Sequence, residues 1–76
     1  MVDDRAGIAP TRLSARELEI LEHLAEGRTA KEVARALLIT PRVVERHMTS
    51  MRLKARARNT THMISWGFLS GALRVA

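Results

Sequence analysis

The stretch Ala30–Thr49, AKEVARALLITPRVVERHMT, constrains this chain more than any other. Val33, Leu37 and Ile39 are apolar positions leading to a turn, and Val44 is the first beyond it. Ala34 supplies the small side chain that two steeply crossing helices need between them. Thr40 followed by Pro41 is a helix start: a hydroxyl to cap free backbone N–H groups, then a residue with no N–H to waste. Helix, short turn and second helix at this spacing make a helix-turn-helix unit. Leu38 stands where many such turns carry glycine, so the turn departs from the commonest form.

With 76 residues the chain makes one domain, and so short a chain buries little core, so oligomerisation would help it. It has no cysteine, hence no disulfide and no thiolate metal site, which fits a reducing, cytoplasmic setting. No apolar run approaches the ~20 residues that cross a membrane. The opening MVDDRAGIAP is acidic and poor in apolar residues, unlike a signal peptide.

The net charge is +5, and its distribution says more than its total. Asp3, Asp4, Glu17, Glu19, Glu22 and Glu26 all precede Gly27. Arg42, Arg46, Arg52, Lys54, Arg56 and Arg58 then crowd one segment, with Glu45 as its one anion. A cationic half suits a polyanion, and a helix-turn-helix offers one helix to the major groove of DNA. The plainer alternative is a solvated basic face.

Residues 1–12 show no period and read as a flexible tail, disordered at least to Ala9; residues 13–76 read as the folded domain. Ser14-Ala15-Arg16-Glu17 is a capping box, opening a first helix that runs to about Glu26 and stops at Gly27. Leu18, Leu21, Leu24 and Ala25 share one face, with Ile20 beside them. Thr29-Ala30-Lys31-Glu32 repeats the box and opens helix two. Helix three runs from Pro41 to about Ala55, with Val44, Met48, Met51 and Ala55 toward the core and His47 at its edge. Its other side carries Arg42, Val43, Glu45, Arg46, Thr49 and Ser50. Asn59, Thr60 or Thr61 caps helix four.

From Asn59 to Leu73 there is no charged residue. Two apolar stripes follow: Met63 and Ile64 with Gly67 and Phe68, and His62, Trp66, Leu69 and Leu73. A small domain cannot bury both, so the second stripe is expected at the interface of a two-fold homodimer. Gly67 would admit a neighbouring backbone. The alternative is that Trp66 caps the core of its own chain. His23 and His47 read as boundary residues rather than ligands, and the four methionines as core filler.

With these elements placed, the chain resembles the LuxR-type helix-turn-helix family over about Leu13 to Leu73. The resemblance is carried by Leu13-Ser14-Ala15-Arg16-Glu17 with Ile20-Leu21, then by Leu24-Ala25-Glu26-Gly27. It continues in Lys31-Glu32-Val33-Ala34 with Leu37, in Ile39-Thr40, and in Val44 with His47. The last part is Ala57-Arg58-Asn59-Thr60-Thr61-His62 with Gly71. It implies an all-α, four-helix DNA-binding domain, often dimeric through its last helix, in the manner of stand-alone members or of a fragment of a longer regulator. The chain departs from the family at Ala30 (usually Asn), Val43 (usually Thr), Glu45 (usually Lys) and Arg56 (usually Gly). The first three positions commonly touch DNA in the family.

The expected function is a sequence-specific regulator of transcription that binds double-stranded DNA, with helix 41–55 in the major groove. Arg42, Glu45, Arg46 and Thr49 are the expected base contacts, Arg46 first among them, since guanidinium fits guanine O6 and N7. Glu45 either accepts from a cytosine amine or pairs with Arg42. Thr29, Lys31, Arg52, Lys54 and Arg58 are the expected phosphate contacts, which set register; Lys31 matches a backbone-contacting residue of the family. The alternative is a degenerate member acting as a protein-interaction adaptor with little intrinsic DNA binding, for an acidic partner, another regulator or another protein of the transcription machinery. No nucleophile sits beside a base and no glycine-rich phosphate loop is present, so no enzyme, cofactor or metal is expected.

Overall fold

Four helices form where hydroxyl, amide and carboxylate caps free the chain to start them. The computed structural model describes residues 13–74. The expected tail, 1–12, lies outside the described residues. α1 spans Ala15–Ala25, α2 Ala30–Leu37, α3 Pro41–Ala55 and α4 Thr60–Leu69, with no strand among the described residues.

Each start is a specific bond. The Glu17 N–H donates to Ser14 Oγ at 3.0 Å, and the Ser14 N–H returns to Glu17 Oε1 at 3.1 Å. Thr29 and Glu32 do the same at 3.2 and 2.8 Å. The Val43 N–H reaches Thr40 Oγ1 at 3.2 Å ahead of Pro41, and the His62 N–H reaches Asn59 Oδ1 at 2.8 Å. These bonds satisfy N–H groups that have no partner inside the helix.

Each of the four helices is followed by a residue at positive φ, glycine after α1 and α4 but not after α2 and α3: Gly27 has φ 91°, Leu38 φ 59°, Arg56 φ 54° and Gly71 φ 87°. The turn after α2 closes with the Ile39 N–H on the Ala34 carbonyl at 3.0 Å, and the turn after α3 with Ala57 on Arg52 at 2.9 Å. Both are Schellman closures, which favour glycine at the left-handed position. Leu38 is 92% exposed, so its side chain contributes little burial against that backbone strain. Leu38→Gly is therefore expected to stabilise the fold by about 0.5–1 kcal/mol, the relief of strain exceeding the entropy glycine adds to the unfolded chain. A higher urea midpoint at unchanged slope is the check.

The core gathers Ile20, Leu21 and Leu24 from α1, Val33 and Ala34 from α2, Val44 and Met51 from α3, Met63 from α4, and Leu73. α3 packs on all three other helices. On α1 the buried stripe is Glu17, Ile20, Leu21 and Leu24, while Leu18 is only half-buried. That is the expected helical spacing rotated by one position, because a carboxylate occupies its first place.

Two expectations for the last segment change. α4 stops at Leu69, Gly71 turns the chain at φ 87°, and Leu73 folds back to 8% exposure. Leu73 is thus a core residue and no part of a stripe with His62, Trp66 and Leu69. A positive φ at Gly71 interrupts the helical period that groups them in the sequence. Gly67 is buried against its own chain, not a neighbour: a Cβ there would meet Leu73 Cδ1 at 2.7 Å and Leu21 Cδ2 at 3.1 Å.

Candidate nucleic-acid interface

α3 turns Val44 and Met51 fully inward and leaves Arg42, Glu45, Arg46 and Thr49 exposed. Arg42, Arg46, Thr49 and Leu53 recur at intervals of four, three and four, so they form one stripe opposite the buried side. From Arg42 to Thr49 that stripe advances about 10 Å. Leu53, 75% exposed, extends it with an apolar side chain that the charge pattern did not single out. Val43 is half-buried beside it.

The polar groups on this side are differently committed. The Thr49 hydroxyl donates to the Glu45 carbonyl at 3.2 Å, which leaves its lone pairs free to accept. Among the described residues no ion pair joins Glu45 to Arg42, so of the two roles weighed for Glu45 the internal pairing is absent here. Lys31 lies exposed in the first turn of α2, beside the Thr29 cap. Arg52 is half-buried and Arg56 and Arg58 are exposed. Among the described residues Lys31, Arg42, Arg46, Arg52, Arg56 and Arg58 have no carboxylate partner, whereas Arg16 pairs with Glu19 and Arg28 with Glu26.

Lys54 is the exception among the expected phosphate contacts. Its Nζ lies 2.7 Å from Glu17 Oε1, so its charge is already engaged inside the domain. Glu17 is 4% exposed and also faces His47, whose Nδ1 lies 3.8 Å from Oε2. Burial pushes the Glu17 carboxyl up. The hydrogen bond and charge of Lys54, the Ser14 N–H and the Ser50 hydroxyl outweigh it and hold the group below its usual value of 4.5. Local pattern showed Glu17 only as a cap. One sign of more was available: a capping carboxylate keeps acceptor sites beyond the one its cap takes, and His47, Ser50 and Lys54 recur at helical spacing on the flank of α3.

On α4, His62 and Leu69 are exposed, Leu69 at 87%, while Trp66 is half-buried and leans on the domain's own core. Phe68, 41% exposed, widens the apolar surface. His62 Nδ1 accepts from the Arg58 N–H at 3.1 Å, tying the linker to α4. No helix among the described residues is long and apolar enough to cross a membrane, and none of their His, Asp and Glu side chains gather in threes as a metal site requires.

A helix-turn-helix buttressed by a first helix and closed by a fourth defines a tetrahelical helix-turn-helix domain. The chain belongs to the luxR family of bacterial regulatory proteins, whose family model matches residues 11–66. The HTH-type quorum sensing-dependent transcriptional regulator RpaR of Rhodopseudomonas palustris is 37% identical over 68 residues, covering 90% of this chain and 28% of that protein. Regulatory protein SdiA of Escherichia coli is 37% identical over 60 residues, 79% of this chain and 25% of that protein. The CsgBAC operon transcriptional regulatory protein of Escherichia coli is 37% identical over 54 residues, 71% of this chain and 25% of that protein. The chain thus spans about a quarter of the length of these relatives. No solved structure gives a significant match.

Proposed function

We propose that this chain is a sequence-specific, double-stranded-DNA-binding module of transcription regulation, acting in the cytoplasm with α3 in the major groove. The observation that carries the reading is the outward stripe of α3. Arg42, Arg46 and Thr49 stand exposed on it, and the described fold sets no carboxylate against the two arginines. Arg46, one turn into the helix, reads a guanine edge; Arg42, Glu45 and Thr49 read its neighbours. Lys31, Arg52 and Arg58 hold phosphates, with Thr29 adding a neutral contact. Two copies join through His62, Trp66 and Leu69, with Phe68, and read half-sites about 34 Å apart. The names of the relatives, all regulators, support the same class.

Arg46→Ala tests the reading. It is expected to cost about 1–3 kcal/mol on the selected site and to relax preference at one base pair. Equal binding to every sequence before and after the change would remove Arg46 from that role.

One observation favours a second reading, an adaptor for another protein of the transcription machinery. Glu45 is exposed on the outward side of α3, where a carboxylate repels phosphate. Glu45→Lys separates the two. If the unaltered chain binds random duplex in dilute buffer and the lysine tightens it, DNA is the partner. If the unaltered chain binds none and the lysine restores binding, the adaptor reading stands.

A further inference from the structure

We propose that Glu17 is a positioning residue for sequence reading: its buried carboxylate sets the rotation of α3, and with it the aim of Arg46, by holding Lys54 and facing His47 while it accepts from the start of α1. The proposal rests on α3 being the recognition helix. Oε1 takes the Ser14 N–H at 3.1 Å and Lys54 Nζ at 2.7 Å, and Oε2 faces His47 Nδ1 at 3.8 Å. The carboxylate is therefore fixed at the start of α1 and holds α3 through Lys54, with the His47 ring facing it one heptad earlier.

Those positions matter because of where they fall. His47 and Lys54 are seven residues apart, about 10 Å along the helix. The turns they span carry Thr49 on the outward side, and Arg46 is adjacent. Away from that carboxylate the buried side chains of the two helices are apolar: Ile20, Leu21 and Leu24 of α1 and Val44 and Met51 of α3 belong to one core cluster. Apolar packing specifies volume and tolerates rearrangement. A charged hydrogen bond is short and directional, and fixing register is the best-attested use of a buried ionic group. A helix side chain ends about 6 Å from the axis, so a rotation of about 10° moves its tip about 1 Å. That is enough to spoil a bidentate pair whose bonds must lie near ~2.7–3.2 Å.

The test compares Glu17→Gln, Lys54→Met and Lys54→Arg on two duplexes, the site selected by the unaltered chain and a random one. All are measured below the unfolding transition. Glu17→Gln and Lys54→Met are expected to lose about tenfold in the ratio of selected to random affinity, part of what one bidentate contact contributes. Lys54→Arg is expected to retain the ratio. Random-duplex affinity of Glu17→Gln is expected to hold or rise, because the change frees the Lys54 ammonium; a merely unstable fold would weaken both duplexes. An unchanged ratio in folded Glu17→Gln and Lys54→Met overturns the proposal. So does a Lys54→Met chain that weakens equally on both duplexes with a shallower salt dependence, which makes Lys54 a phosphate contact. If Glu17→Gln does not fold, Lys54→Met, which leaves the cap of α1 intact, carries the test. Residual dipolar couplings need no DNA: α3 is expected to reorient relative to α1 while each helix stays internally unchanged. An unchanged orientation overturns the proposal. A chain that ignores every duplex would end the recognition reading alone, and the couplings would still decide whether Glu17 sets the helix.

Discussion

Raising the salt concentration from about 50 to about 200 mM is expected to weaken duplex binding about a thousandfold. Each phosphate neutralised by a cation releases condensed counterions, so the logarithm of affinity falls with the logarithm of salt at roughly −0.9 per contact. The cations proposed to hold phosphate are Lys31, Arg52 and Arg58. Thr29 is neutral and adds nothing to the slope. Two subunits then give a slope of about −5. Lys54 would steepen it to about −7 if its ammonium reached the backbone, but that ammonium sits 2.7 Å from Glu17 Oε1. A slope measured by fluorescence anisotropy on a selected duplex thus reports both the footprint and the state of Lys54. A value near −5 fits the engaged lysine, and a value near −7 fits a free one. A slope near zero would mean that binding does not run through the phosphate backbone, and would leave the adaptor reading.

The parts of this fold that local chemistry decides were legible in the residues. Ser14, Thr29, Thr40 and Asn59 each cap the helix that follows, and the core-facing side of α3 follows from Val44, Met48 and Met51 at helical spacing. What stayed hidden at Glu17 and Lys54 has one cause: a contact made far along the chain. Glu17 and Lys54 are 37 positions apart. A carboxylate in an apolar stripe is set aside by periodicity, because isolated charge is costly to bury. Only the fold supplies the ammonium that makes the burial tolerable. Lys54 reads as a surface cation for the same reason, its partner lying in another helix. Leu73 misled through a turn, since a helical period carried past Gly71 places it on the wrong side. Arg56 is the reverse case. Its departure from the family's glycine was visible, and the structure supplies the physical meaning, a left-handed residue closing α3.

Replacing Glu17 with alanine is expected to cost about 2–3 kcal/mol of stability. The change removes the acceptor of the Ser14 N–H, one half of the capping box, and leaves Lys54 without its partner. The loss falls short of that for a wholly buried pair, because the Lys54 side chain keeps 36% of its exposure and water recovers part of its charge. A domain of this size holds only about 0.05–0.15 kcal/mol per residue, so the variant should lose a large share of its margin. The pH dependence has a definite sign. Burial raises the Glu17 carboxyl, Lys54 and the Ser14 N–H lower it further, and the net direction is down from 4.5. The unfolded chain therefore takes up this proton more readily than the native one, with His47 the other titratable group facing it. Its contribution is complete above the ordinary carboxylate range and is lost as pH falls through the lowered native value. Glu32, held down first by the Thr29 N–H, adds dependence of the same sign and is untouched by the substitution. Urea midpoints measured from about pH 7 to about pH 3 should fall for both chains, and less steeply for Glu17→Ala. Parallel curves would mean that the Glu17 carboxyl is no more acidic folded than unfolded, and that Lys54 does not hold its charge in place.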